Sequence, residues 1–122
     1  MNDSELIDWE QLEMIFGEDD EEFDEDMADL FREFIEDGSN RLQTIKSASF
    51  ESDRVSIAQE SHRLKGSSSN FGFARVATSL ANIEDNIDSI SADAYEAALS
   101  QAESDFFASV KQVEAKYLSL QN

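Results

Sequence analysis

The sequence predicts an all-α protein: an up-down-up-down antiparallel four-helix bundle with a short additional N-terminal helix. Three observations carry that expectation. Proline is absent from all 122 residues, so no ring interrupts a helix. Apolar residues recur at three- and four-residue steps rather than alternating. The segments between these patterns are short, which makes successive helices antiparallel neighbours. The length suits one domain over residues 1–122 with a modest core.

Residues 1–7 are expected to be a loose lead-in. A short helix over about 8–16 follows, with Asp8 as its cap, Gln11 at the capping-box position, and Gly17 ending it. Ile7, Leu12, Ile15 and Phe16 are its apolar contacts, and Trp9 is placed at the bundle edge. Glu18 to Asp26 is strongly acidic. No glycine stands sixth and no glutamate twelfth from Asp19, Asp20 or Asp24, as a calcium loop of the EF-hand kind requires. The stretch therefore reads as a connection and an acidic first helical turn, which suits the helix dipole.

The second helix is expected over about 20–47. Phe23, Met27, Leu30, Phe31, Phe34, Ile35, Leu42 and Ile45 form a broad stripe suited to core packing. Gly38 marks either a kink or a close helix crossing. Ser52 or Asp53 caps the third helix, about 53–71, whose inward stripe is Ile57, Ser61, Leu64, Ser68 and Phe71. Gly72 ends it in a left-handed cap. The fourth helix, about 73–88, turns Val76, Ala77, Leu80, Ile83 and Ile87 inward. Ser91 caps the fifth, about 92–120, along a seam of Tyr95, Ala98, Ala102, Phe106, Val110, Val113 and Tyr117. Phe107 and Leu120 are placed over its ends.

Composition narrows the function classes. With no cysteine there is neither a disulfide framework nor a thiolate metal site. The net charge of −19 opposes binding to nucleic acid or to an anionic membrane surface. It also favours a monomer. The polar, acidic start is no signal peptide, and no apolar run approaches a membrane span. A cytoplasmic location is expected, and Met1 with the compact length favours a complete protein. The charge is uneven: residues 1–37 hold 17 acids against Arg32 alone. Residues 54–75 instead carry a net of +3, from Arg54, Arg63, Lys65 and Arg75 against Glu60.

The chain's single histidine, His62, lies in that positive stretch. At roughly 100° per residue it points about 140° away from the centre of the inward stripe. It is thus a solvent-facing imidazole rather than a core residue. Gln59, Gly66 and Ser69 share its face, with Lys65 at the flank. A glycine inside a helix is destabilising; here it clears room beside the imidazole for a phosphoryl group and a partner. Folding the third and fourth helices at Gly72 brings residues near 82–85 alongside. Glu84 is then placed to accept a hydrogen bond from one ring nitrogen, leaving the other as nucleophile.

The run His62-Arg63-Leu64-Lys65-Gly66-Ser67-Ser68-Ser69-Asn70-Phe71-Gly72 resembles the signature of histidine-containing phosphotransfer (HPt) domains. Leu80-Ala81-Asn82-Ile83-Glu84 is similar to that family's following helix. The resemblance implies a phosphocarrier in a multistep His-Asp phosphorelay, with His62 as phosphoacceptor. It implies phosphate support from Lys65, Gly66 and Ser69, orientation of the histidine by Glu84, and partner docking on Gln59, Arg63 and Gly66. The implied partners are response-regulator receiver domains, including those of a hybrid histidine kinase. The catalytic aspartates and Mg²⁺ would belong to the receiver; no cofactor or metal is expected on this chain. No glycine-rich phosphate loop for ATP is present, so the chain is expected to be a transfer intermediate rather than a freestanding enzyme. Two other readings stay open: the phosphoacceptor domain of a chemotaxis-type histidine kinase, and a non-catalytic helical interaction module. A metal-dependent hydrolase is disfavoured, because one histidine and scattered acids form no ligand cluster.

Overall fold

The computed structural model describes residues 5–18 and 23–121. Its elements are α1 (Trp9–Phe16), α2 (Glu25–Ser47), α3 (Arg54–Asn70), α4 (Ala74–Asp85) and α5 (Ala92–Lys116), followed by a 3₁₀ turn, Leu118–Gln121. Helices α2 to α5 form the antiparallel bundle. Contacts join α2 to α3, α3 to α4, α4 to α5, and α5 back to α2.

Local chemistry explains the helix ends. The Asp8 carboxylate accepts from Gln11 N, and Ser91 Oγ accepts from Ala94 N. Asp24 accepts from Asp26 N and Met27 N. That cap starts α2 at Glu25, five residues later than the periodicity suggests, because a carboxylate bonded to orphan amides fixes the first turn. The expected start at Asp20 itself lies outside the described residues, as does part of the acidic stretch. Asp53 stands at the N-cap of α3, but its carboxylate accepts instead from Ser49 N at 2.8 Å, bracing the α2–α3 connection.

The α3–α4 turn is a Schellman motif: Phe73 N donates to Ser68 O and Gly72 N to Ser69 O. It requires the left-handed φ of +75° at Gly72. Helix α1 sits directly on this turn. Asp8 N donates to Gly72 O at 2.8 Å, and Gln11 Nε2 donates to Asn70 O at 2.9 Å. Immediately before α1, Ile7 is buried and Leu6 O accepts from Arg75 N. The end of the expected loose lead-in is therefore anchored; residues 1–4 lie outside the described residues.

The core is aromatic where α1 closes the bundle. Phe16 packs on Phe31 and Tyr117, while Phe34 stacks on Phe71 and meets Phe73 and Phe106 edge-on. Burying each such ring stabilises the fold by about 1.5–3 kcal/mol. Tyr117 Oη donates to Gly17 O at 2.7 Å, so its hydroxyl remains satisfied.

Gly38 marks a crossing, not a kink, since α2 runs through it unbroken. A Cβ there would stand 2.6 Å from Phe106 Cζ and 3.3 Å from Leu64 Cδ1. Leu30, expected in the α2 stripe, is instead 49% exposed, and Ala28 takes the inward place. Helix α4 ends at Asp85, three residues early, where the Asn86 side chain bonds back to Asn82 O and Oδ1. Ile87 still packs on the core from the turn that follows. Helix α5 ends at Lys116, and the 3₁₀ turn folds Leu120 into the core. The α5 seam also includes Leu99, and it buries Asp105 and Ser109. Phe107 is 43% exposed, with its ring edge-on to Phe106.

Candidate functional site

The inward stripe of α3 is where its periodicity placed it: Ile57, Ser61, Leu64 and Ser68 are buried, with Phe71 partly so. Burying that face turns His62 outward, with 65% of its side chain exposed. The antiparallel α3–α4 pairing then sets Glu84 opposite. Glu84 Oε2 lies 2.8 Å from His62 Nδ1, and Glu84 Oε1 accepts from Lys65 Nζ at 2.8 Å. One carboxylate therefore links the imidazole to an ammonium group.

The electrostatics follow from that geometry. The hydrogen bond from Lys65 holds the Glu84 carboxyl below its usual range, assisted by His62 and opposed by partial burial. The same bond raises the Lys65 ammonium above its ordinary value. Glu84 is accordingly an ionised acceptor at neutral pH. An ionised carboxylate can only accept, so Nδ1–H donates to it, and in the neutral imidazole the second nitrogen, Nε2, carries the lone pair.

Gly66 lies one turn beyond His62, and a Cβ added there would meet nothing within 4 Å. Ser69 is exposed on the same face but about 10 Å along the helix axis, outside the His62–Glu84–Lys65 contact set. On the N-terminal side of the imidazole, Ala58, Gln59, His62, Arg63 and Glu84 line a shallow concavity. Gln59 is exposed. Arg63 makes a long 3.4 Å contact to Glu60 Oε2, while Glu60 Oε1 accepts from Arg41 at 2.7 Å.

The positive stretch over residues 54–75 does not pool into one patch. Arg54 donates to Phe50 O and Ile87 O and lies over the Phe50 ring. Arg75 pairs with the buried Asp105. Of this stretch, only Arg63 and Lys65 stand beside the imidazole, because Arg54 lies about 12 Å back along α3 and Arg75 belongs to α4. Ala58 and the Arg41–Glu60 pair were not legible as parts of the site. Alanine carries no chemical signal, and nothing in the local pattern couples residues 41 and 60.

The model of the Hpt domain family matches residues 29–116, which is α2 from its second turn to the last residue of α5. The chain belongs to the Hpt domain family. Membership gives this Hpt domain a histidine phosphotransfer role in two-component signalling. No curated protein and no solved structure gives a significant match. The Hpt match leaves α1 outside, although α1 supplies the cover on the Gly72 turn. Among the described residues no three His, Asp or Glu side chains converge as a metal site, and no helix is long and apolar enough to cross a membrane.

Proposed function

We propose that His62 of this Hpt domain is a phosphocarrier in a multistep His-Asp relay, taking a phosphoryl group from one receiver-domain aspartate and passing it to another. The observation that carries this reading is the exposed imidazole anchored through Nδ1 to Glu84, with open space over Gly66. The Nε2 lone pair attacks phosphorus as the P–O bond to the aspartate breaks, and the carboxylate leaves with that electron pair. Nδ1 keeps its proton throughout, and the Glu84 carboxylate stabilises the cationic phosphoimidazole that forms. No proton has to leave the site in either direction, which suits a reversible carrier.

Lys65 keeps Glu84 ionised and offsets negative charge when the phosphoryl group arrives. Gly66 lets the receiver's surface approach the ring, with Ser69 keeping the following turn small. Gln59 and Arg63 border the docking surface. The receiver would bring the second catalytic carboxylate set and its Mg²⁺; this chain supplies the nucleophile, and ATP has no part in the step. A monomer suffices, because every group named lies on α3 and α4 of one chain.

The test is phosphotransfer from a panel of phosphorylated receiver domains, with His62→Gln as the control. The expected product is an acid-labile, base-stable phosphoramidate that is absent from the variant. Transfer that survives His62→Gln, or an acid-stable phosphate, would refute the assignment.

A further inference from the structure

We infer that Gln59 and Arg63 contact the phosphoryl group itself, forming a cradle on the N-terminal side of His62. This rests on His62 as the phosphoacceptor and adds where the phosphoryl oxygens go. Both oxygens of Glu84 are engaged, one by His62 Nδ1 and one by Lys65 Nζ. In this arrangement the ammonium group is held on the Nδ1 side of the ring. A phosphoryl group on Nε2 projects away from Nδ1, because the lone pairs of the two ring nitrogens diverge. Side chains elsewhere on the face are therefore placed to contact it as well.

Helix geometry says from where. Side chains on an α-helix lean towards its N-terminus, so the patch covered by a residue lies over the preceding turn. For His62 that turn holds Ala58 and Gln59. The structure has a concavity of about 370 Å³ at this place, lined by Ala58, Gln59, His62, Arg63 and Glu84. Ala58 makes a small floor. Glu84 bounds one side, with its charge offset by Lys65. On the other side Arg63 brings a guanidinium, and Gln59 an exposed amide that can donate two N–H bonds.

Arg63 is available for this. Its contact to Glu60 is 3.4 Å, at the long limit for a hydrogen bond, and 59% of its side chain is exposed. Glu60 keeps the stronger 2.7 Å partner, Arg41, when Arg63 swings away. Arrival of the phosphoryl group thus exchanges a weak Arg63–Glu60 contact for a charge-assisted one and leaves no carboxylate unpaired. Lys65 then acts mainly through Glu84, while Gln59 and Arg63 act on the phosphoryl oxygens.

The test uses the full chain phosphorylated by phosphoramidate, a small donor that needs no receiver. Phosphorus NMR reads the titration midpoint of the phosphohistidine, and proton–nitrogen NMR reads the Gln59 amide. Arg63→Gln should raise the midpoint by about 0.5 unit, as loss of a nearby positive charge at an exposed site predicts. The wild-type Gln59 side-chain amide should shift on phosphorylation, and Gln59→Ala should move the phosphorus resonance. These exposed side chains can be removed without unfolding the bundle, which circular dichroism checks. An unchanged midpoint in Arg63→Gln, an unshifted Gln59 amide on phosphorylation, or an unmoved phosphorus resonance in Gln59→Ala overturns the inference while leaving His62 as carrier. Failure of the wild type to form phosphohistidine at position 62 would instead overturn the underlying assignment.

Discussion

Glu84→Ala isolates the link between the two helices and the reactivity of the imidazole. In the wild type Glu84 Oε2 stands 2.8 Å from His62 Nδ1, on a side chain that is 24% exposed. A hydrogen bond to an ionised partner contributes about 1.5–3 kcal/mol. Partial exposure places this one at the lower end, about 1.5 kcal/mol. That is close to a tenfold change in an equilibrium ratio. Removing the carboxylate should therefore lower the ratio of Nδ1–H to Nε2–H imidazole by about tenfold. The fraction of chains presenting an Nε2 lone pair falls with it, and the transfer rate should drop by up to that factor. Nitrogen NMR of labelled His62 at alkaline pH measures the tautomer ratio, and rapid-quench transfer from a phosphorylated receiver measures the rate. Alanine is a strong helix former, so α4 should persist. An unchanged tautomer ratio would show that the contact has no energetic weight. A changed ratio with an unchanged rate would show that orientation is not rate-determining.

Gly66→Gln should keep or slightly strengthen α3, since glycine is about 1 kcal/mol worse than alanine in a helix interior. It should nonetheless slow transfer at least about tenfold by filling the open space beside the imidazole; normal transfer would contradict the clearance argument. Gly38→Ala places a Cβ 2.6 Å from the buried Phe106 ring. Overpacking of about 1–3 kcal/mol outweighs the propensity gain, so urea unfolding should show a net loss of about 1 kcal/mol, whereas a stabilised variant would mean the ring can yield. For pH, the depressed Glu84 carboxyl means that its linkage contributes stability above the ordinary value of 4.5, lost as pH falls through the lower folded value. Carbon NMR should find Glu84 titrating below 4.5, and Lys65→Ala should bring it back towards that value.

Much of the site was legible in one helix's periodicity. The phase that buries Ile57, Ser61, Leu64 and Ser68 also exposes His62, because a helix has a single rotational setting on its core. The left-handed turn at Gly72 was legible for a similar reason: it is a local backbone property. Boundaries were less so. Asp24 moved the start of α2 through a cap whose carboxylate also suited a helical turn, and Asn86 closed α4 before its apolar pattern ended. Leu30 and Ala28 exchanged places because the broad α2 stripe does not say which edge faces the neighbours.

Taken alone, the sequence determines the helical class, the outward imidazole and the glycine beside it, since each depends on residues within a few turns of one another. Tertiary structure decides the rest. Whether Glu84 reaches Nδ1, and whether Lys65 faces Glu84 or open solvent, depends on the register and rotation of α4 against α3. That setting is made by packing across the bundle, including the passage of Gly38 over Phe106 and the seating of α1 on the Gly72 turn. It also commits Arg75, on α4, to Asp105, and lets Arg54, about two turns before His62 on α3, reach Ile87 O, although both belong to the same positive run. A charge count along the chain adds their fields together, while the folded helices hand them to other partners.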